Sequence, residues 1–549
     1  MKRIMPAILA LTLCQILYQT QIINATPLPP PIVTGNSVEL CLNSRYSQHS
    51  LSKTAASSQQ LSNILWAAGK APFTGSYRNI YVVTPTGTYL YDPHDHSLNW
   101  YSNEIVNDSS FAISYETELT FDAGVLFMPA MLASVSLGKS TESPVASCPK
   151  GLGLPKTRLF FGVQAVNGLT PSLVVHSSIP QGQPGWLPDP STSGANKLEE
   201  VLANLKYTST FSQTNLTLQQ ISQILWAGYG CSAHTTSNSR AGLTVPSAFA
   251  NYYLTQSIYL ANENGVYRYH NRNPSTNMAT RDHRIEQIKS ADIRANLRAA
   301  VSGLPEAPCY IILCLNSSYT GQQQEYTQLE TGFVAYNMLI QATAIDLGCH
   351  FKTVISAEQS GIRAVTNILA SHIPQAIVSI GPVAAQVTVS AVLQGDGRPD
   401  EGWIVPLTVK FFTPGADVLN DTPTYKFNLT TARSATGNTA ICEATGITPG
   451  TYDITTIGKY TLMNVKKNVV ISAPKTSVDL GTLLEGNANQ DNIIDLDDYA
   501  LLSMSWLTSK SQVEFDARTD FDCNGLINAS DLWLLSANWL RNSPVQILP

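Results

Sequence analysis

Gln59-Gln60-Leu61-Ser62-Asn63-Ile64-Leu65-Trp66-Ala67 returns as Gln219-Gln220-Ile221-Ser222-Gln223-Ile224-Leu225-Trp226-Ala227, an offset of 160 residues (219 − 59) with seven of nine positions identical. Leu61, Ile64, Leu65 and Ala68 fall at helical spacing, so each copy predicts one amphipathic helix that buries a Leu/Ile/Trp face. A strand pair follows in both. The first is Ile80 to Val83, a turn over Thr84 to Gly87, then Thr88 to Tyr91. The second is Ile258 to Leu260, a turn over Asn262 to Gly265, then Val266 to Tyr269. The hairpins are offset by 178 residues (265 − 87), so copy two carries 18 extra residues (178 − 160) between its helix and its hairpin.

Outward from the second copy, Tyr310 to Cys314 predicts a buried strand and Tyr326 to Leu347 a long helix stopped by Gly348. A further strand, Ala376 to Ile380, ends at Gly381-Pro382. Helices and strands interleave, which predicts an α+β body of two tandem copies, 37–190 and 191–384. From Ala385 the pattern becomes short β-rich runs: Val387 to Val389, Val405 to Phe412, Tyr425 to Leu429 and Asn468 to Ile471, with a turn at Pro449 to Asp453. A small β-sandwich over 385–484 is the expectation. It resembles the transthyretin-like modules that act as spacers without chemistry of their own.

At 549 residues the chain has room for several domains. Charged residues make up 13% and the net charge is −6, which argues against a basic face for nucleic acid. Lys2 and Arg3, the apolar run Ile4 to Leu17 and Ile23-Asn24-Ala25 read as an export signal over 1–25, followed by a Pro-rich linker over 26–36. An uncleaved anchor is the competing reading, although the apolar run is shorter than the ~20 residues a span needs. A secreted, extracellular protein is therefore expected. Cys14 lies in the signal, and the other eight cysteines form no CxxC pair, so no disulfide is assigned. Asn107, Asn215, Asn316, Asn420, Asn428 and Asn528 sit in glycosylation sequons.

Near the C-terminus two segments repeat the ligand spacing of a calcium loop. The first is Asn487, Asn489, Asp491, Ile493, Asp495 and Asp498; the second is Asp520, Asp522, Asn524, Leu526, Asn528 and Asp531. Oxygen ligands at positions 1, 3, 5, 9 and 12, with a main-chain carbonyl at 7, suit one hard cation. Apolar helices are predicted after each, Tyr499 to Trp506 and Leu532 to Trp539. The tandem pair resembles a dockerin over 485–543, which implies two bound Ca2+ ions and a cohesin-bearing partner. Asn487 stands where Asp is usual and Asn492 where Gly is usual, so the first loop should bind more weakly. Positions 10 and 11 differ, Leu496-Asp497 against Ala529-Ser530, which argues against two equivalent docking orientations. A calcium staple with no cohesin is the alternative.

Copy two also resembles the nitroreductase family, in particular its flavin dehydrogenases that oxidise thiazolines. The residues that carry this are Ile224 to Ala227, Thr244-Val245-Pro246-Ser247-Ala248, Gly265 to Tyr269, Leu329-Glu330-Thr331-Gly332 with Asn337, and Ile380-Gly381-Pro382. Copy one keeps Leu65 to Ala68 and Tyr89 to Pro93. Family members are homodimers with FMN in the subunit interface, so the duplicated chain resembles a monomeric pseudo-dimer.

The resemblance implies at most one composite FMN site. Arg45 and Ser47 of copy one, in the partial start Arg45-Tyr46-Ser47-Gln48-His49, would hold the phosphate, while Pro246, Ser247 and Ala248 of copy two pack on the ring. Copy two offers Lys206-Tyr207-Thr208 at its own start. The basic residues that follow the last strand in the family have no counterpart after Gly381-Pro382, and Phe249 stands where relatives carry Gly. Tyr326 is the candidate proton-handling residue near a small redox substrate; a core tyrosine on a buried helix is the competing reading. His94 and His96 read as solvated hairpin residues, since nothing nearby completes a metal set. The function expected is a secreted FMN-dependent oxidoreductase held on a cohesin-bearing complex, and the alternative is a non-catalytic structural or binding subunit of that complex. No paired carboxylates support glycoside hydrolysis.

Overall fold

The computed structural model describes residues 25–47, 54–72, 79–106, 109–116, 120–138, 140–141, 157–164, 182–236, 238–395, 397–434 and 439–547. The predicted export signal up to residue 24, Cys14, Gln48-His49 and the Asn107 sequon lie outside the described residues. Among the described residues, no helix is long and apolar enough to cross a membrane. The chain divides into two compact units: Met1–Ser209 with Asn215–Gly381, and Thr210–Thr214 with Pro382–Pro549.

In the first unit the repeated nonapeptides lie in helices Ser58–Ala68 and Leu218–Tyr229. Each starts on a capping box, Ser57 with Gln60 and Thr217 with Gln220, which satisfies two otherwise unpaired amides at the helix start. The hairpins are Ile80–Thr84 with Gly87–Asp92, and Ile258–Asn262 with Gly265–Arg272. Their registers match, Thr84 opposite Gly87 and Asn262 opposite Gly265. At Gly265, with φ +134°, a Cβ would overlap the Lys289 carbonyl oxygen, so no larger residue fits beside the next strand.

The equivalence runs through both sheets. The first has the order Thr26–Pro27, Ser97–Ser102, Gly87–Asp92, Ile80–Thr84, Phe111–Glu116, Thr157–Gln164, Ser140–Thr141. The second has the order Arg281–Lys289, Gly265–Arg272, Ile258–Asn262, Cys309–Asn316, His372–Pro382, Leu347–Thr353. Apart from the short Thr26–Pro27 strand, the two orders correspond strand for strand. Two long helices, Thr120–Ser136 and Gln322–Ala344, occupy equivalent places and meet at Gly124 and Gly332. Ahead of them the copies pair reciprocally: Val38 N donates to Asn196 O at 3.4 Å and Leu198 N to Asn36 O at 2.9 Å. One apolar core runs through both copies.

The long helix of copy two and His96 both depart from expectation. The long helix of copy two starts at Gln322 and ends at Ala344. Its exit is made by Asp346 at φ +63°, while Gly348 lies inside the strand Leu347–Thr353. His96 is not a solvated hairpin residue: its Nδ1 meets Tyr91 OH at 2.7 Å and its Nε2 meets Ser62 Oγ at 2.8 Å. The same network recurs in copy two, where His283 Nδ1 meets Tyr269 OH and Nε2 meets Ser222 Oγ, both at 2.8 Å. His94 is exposed and pairs with Asp95 at 2.7 Å. Cys309, Cys314 and Cys349 are buried free thiols.

The second unit holds two sheets over one core. One has the order Ala432–Arg433, Thr439–Ile447, Ala385–Leu393, Lys475–Leu483; the other Tyr425–Thr430, Pro406–Phe412, Gly450–Ile457, Asn464–Ile471, Val545–Gln546. Along Ala385–Leu393 the residues Ala385, Val387, Val389, Ala391 and Leu393 alternate inward, the period of two that one buried face demands. They meet Leu407, Val409, Phe411 and Ile454 from the other sheet. The turn expected over Pro449 to Asp453 is instead the start of strand Gly450–Ile457. Helices Leu496–Met504 and Ala529–Ala537 follow the two loops. Each starts three residues earlier than expected and stops before its Trp, because the loop's ninth residue, Asp495 or Asn528, is already the N-cap.

Candidate functional site

Arg45 follows the helix Val38–Ser44 and is 1% exposed. The fold carries it to the segment just ahead of Pro246-Ser247-Ala248, so the predicted halves of the composite site do meet. The guanidinium, however, faces main-chain carbonyls. Nε donates to Thr244 O at 3.0 Å, Nη2 to Leu243 O at 3.0 Å and Val245 O at 2.7 Å, and Nη1 to Ser47 Oγ at 3.4 Å. Four of the five N–H groups of the fork are thus engaged. Burial lowers the Arg45 pKa to about 10. A phosphate would have to take these donors from three carbonyl oxygens whose negative ends already point at the cation. In this arrangement Arg45 and Ser47 do not fit the phosphate of FMN.

Copy two has no cation in the matching place. Tyr207 bridges Cys349 as Ser47 bridges Thr141, so the structural offset is 160 (207 − 47) and Leu205 stands opposite Arg45. Lys206 points elsewhere, to Asp346 at 2.8 Å on the surface.

Pro246, Ser247 and Ala248 line a cleft with Tyr326, Leu329, Glu330 and Phe333 whose free volume is about 10 Å³, room for about one water molecule and far below the about 300–1,000 Å³ of small-molecule sites. The Ser247 hydroxyl is turned back into its own loop, where it accepts from Tyr252 N at 2.7 Å. Phe249, Ala250 and Tyr252 have φ of +57°, +53° and +55°, a left-handed run that side-chain-bearing residues rarely adopt. That conformation gives the physical reason a Gly would suit position 249. Tyr326 is half-buried at the cleft rather than in the core, with ring centroids 6.1 Å from Phe249 and 5.8 Å from Tyr253. Desolvation raises its pKa.

Glu330 is a chemical group that sequence reasoning passed over. It is 1% exposed, accepts from Tyr229 OH at 2.7 Å, and burial pushes its pKa up to about 7. Its signal in the sequence was a lone carboxylate between Leu329 and Phe333 on a helix otherwise uncharged over that stretch. A buried carboxyl that titrates near neutrality beside a cleft can hold or release a proton.

In the second unit both loops adopt the turn their spacing requires. Asn492 at position 6 has φ +74° and Gly525 at the matching position has φ +81°, so Asn takes the left-handed conformation that Gly supplies in the second loop. The position-12 carboxylates are held by main-chain amides. Asp498 accepts from Asn489 N at 3.1 Å and Asp495 N at 2.9 Å; Asp531 accepts from Phe521 N at 2.7 Å and Asn528 N at 3.0 Å. Oxygens of Asp520, Asp522 and Asp531 gather within 4.8 Å of one another. Burial and the neighbouring Asp522 and Asp520 charges push the Asp531 pKa up to about 6. In the first loop the Asn487 Oδ1 is buried without a hydrogen-bond partner, and Asn487 and Asn489 leave fewer charges to gather. An all-oxygen donor set with crowded carboxylates has the chemistry that a hard divalent cation takes. Leu496, Asp497, Ala529 and Ser530 at positions 10 and 11 are all exposed.

The Nitroreductase family profile matches residues 208–382. A Methanocaldococcus jannaschii protein assigned as a nitroreductase is 30% identical over 166 residues, which span 28% of this chain and 76% of that protein. Among solved structures, an Anabaena variabilis protein assigned as a nitroreductase aligns at 13% identity with a TM-score of 0.44, over 59% of this chain and 88% of its own. A type II cohesin–X-dockerin complex from Acetivibrio cellulolyticus aligns at 14% identity with a TM-score of 0.23, over 29% of this chain and 97% of that one. Likenesses that low settle nothing about this chain. The sequence relative does: at 30% identity across 76% of its length, with the family profile on copy two, it establishes that this chain belongs to the nitroreductase family.

Proposed function

We propose that this protein is a nitroreductase-family body, arranged as a one-chain pseudo-dimer, that a dockerin-like module with two calcium ions holds on a cohesin-bearing partner outside the cell. The body serves there as a binding or structural subunit, and the two-sheet segment joins it to the calcium module. The observation that carries the reading of the body is Arg45: the one cation expected to grip FMN phosphate is buried and committed to the carbonyls of Leu243, Thr244 and Val245. What supports the docking is the pair of loops, with Asp520, Asp522 and Asp531 converging and exposed residues at positions 10 and 11 of each.

A second reading, an FMN-dependent oxidoreductase acting on a small redox substrate, is favoured by the cleft where Tyr326 and Glu330 lie beside Pro246 to Ala248. The visible spectrum of the purified full-length chain separates the two. A colourless protein that gains no bound-flavin absorbance on addition of FMN supports the binding or structural reading. A yellow protein, or saturable FMN uptake that Arg45→Ala abolishes, rejects it in favour of the oxidoreductase.

A further inference from the structure

We propose that Arg398 is a positioning residue for the calcium loops, reaching from the two-sheet domain to hold the second loop and the entry to the first in ligating shape. This rests on the calcium reading above and makes the sheet segment part of the cation site rather than a spacer beside it. The Arg398 side chain is 1% exposed, and its guanidinium touches the second loop and Glu485, just ahead of the first. Nη2 donates to Phe521 O, position 2 of the second loop, at 2.7 Å, and Nη1 lies 3.1 Å from the Cys523 sulfur at position 4. Nη2 also reaches Glu485 Oε1 at 3.0 Å, two residues ahead of Asn487. The fork is anchored at its own end on Gln394 O and Gly402 O.

Neighbouring contacts close the same joint. Gln394 Oε1 accepts from Glu485 N at 3.0 Å and from Asn538 Nδ2 at 2.6 Å. Tyr460 O accepts from Asn487 N at 3.0 Å, so the first residue of the first loop hangs from the sheet domain. Gly395 has φ +113°, and a Cβ there would come 2.7 Å from the Cβ of Asp522, so backbone lies directly against that expected ligand. Leu462 packs in the core formed by Ile494, Leu502, Phe521, Ile527, Leu534 and Leu535.

The physical need is clear from the charges. Asp520, Asp522 and Asp531 repel one another until a cation arrives, and a loop tethered only at its ends would splay. Arg398 restrains the second loop through its main chain. A lysine could pair with Glu485, but its compact ammonium lacks the planar fork that spans Phe521 O, Gly402 O and Gln394 O together.

Calcium titration of the full-length chain by calorimetry tests this, with wild type, Arg398→Met, Arg398→Lys and Glu485→Gln in parallel. Arg398→Met should weaken the tighter site about tenfold or more, the range seen when groups that orient metal ligands are removed, and Arg398→Lys should not restore it. Glu485→Gln, which keeps the fork on Phe521, should stay within about threefold of wild type. A folded Arg398→Met or Arg398→Lys chain that titrates like wild type overturns the proposal, as does a Glu485→Gln loss equal to that of Arg398→Met. Should the Met variant fail to fold, the Lys variant carries the comparison. A wild-type chain that takes up no calcium overturns the calcium reading itself, an outcome the wild-type titration separates from the others.

Discussion

His283 has been made unlike an ordinary histidine by its surroundings. Its ring is held between Tyr269 and Ser222, and burial, with Arg281 nearby, pushes its pKa down to about 3. An unfolded histidine titrates near 6.5, so between about pH 6.5 and 3 the unfolded chain binds a proton that the native one refuses. The stabilisation is whole above pH 6.5 and is lost as pH falls, by about 1.4 kcal/mol per pH unit. Melting of the tandem-copy unit should therefore drop more steeply between pH 7 and pH 5 in wild type than in His283→Gln; parallel curves would refute this. The sequence marked His96 but not its twin, because no motif surrounds His283. Arg45 was legible as a cation in a notable place, while its role was not: its carbonyl partners lie 198, 199 and 200 residues away along the chain. Glu330 reads in the sequence as one residue of the Leu329 to Gly332 motif with no visible role, since only burial changes its proton affinity.

Among the elements, the two long helices of the body show what periodicity can and cannot reach. Gln322–Ala344 was foreseen within a few residues, whereas Thr120–Ser136 was not foreseen. Residues Phe121 to Leu132 are buried all round and include Pro129, so no polar face marks a helical period and a breaker argues against one. Where the helices cross, a Cβ on Gly332 would overlap the Phe121 carbonyl oxygen and come 2.9 Å from the Gly124 Cα. Gly332→Ala should separate the pair and cost about 1–3 kcal/mol, read as a lower urea midpoint. An unchanged midpoint would mean the backbones have room there. Strands Thr439–Ile447 and Lys475–Leu483 escaped sequence reading for a different reason: apart from Ile441 their outward faces are mostly Thr, Ser, Glu, Asp and Lys, which read as loop until a partner sheet covers the alternate residues.

On the scale of the whole molecule, two units with separate cores predict two thermal transitions. On the calcium reading proposed above, a chelator should lower the transition of the unit that contains 382–549 and leave the tandem-copy transition in place, because metal binding contributes folding free energy only where the ligands are. Scanning calorimetry of the full chain with and without chelator reads this directly; a shift of both transitions together would overturn it. The sequence by itself determined the doubled helix and hairpin, the α+β character of the body, the β-rich segment and the two loop spacings. Each is a property of a short contiguous run, where spacing of 2, 3.6 or 12 positions already states which side chains share a face or a ligand. Only the tertiary structure decided that Arg45 faces three carbonyls, that Glu330 sits near neutrality beside a cleft, and that Arg398 reaches Phe521 in the second of the two loops. Those outcomes depend on groups 87 to 200 residues apart meeting out of water, where burial and partner geometry, not residue type, set what a charge does.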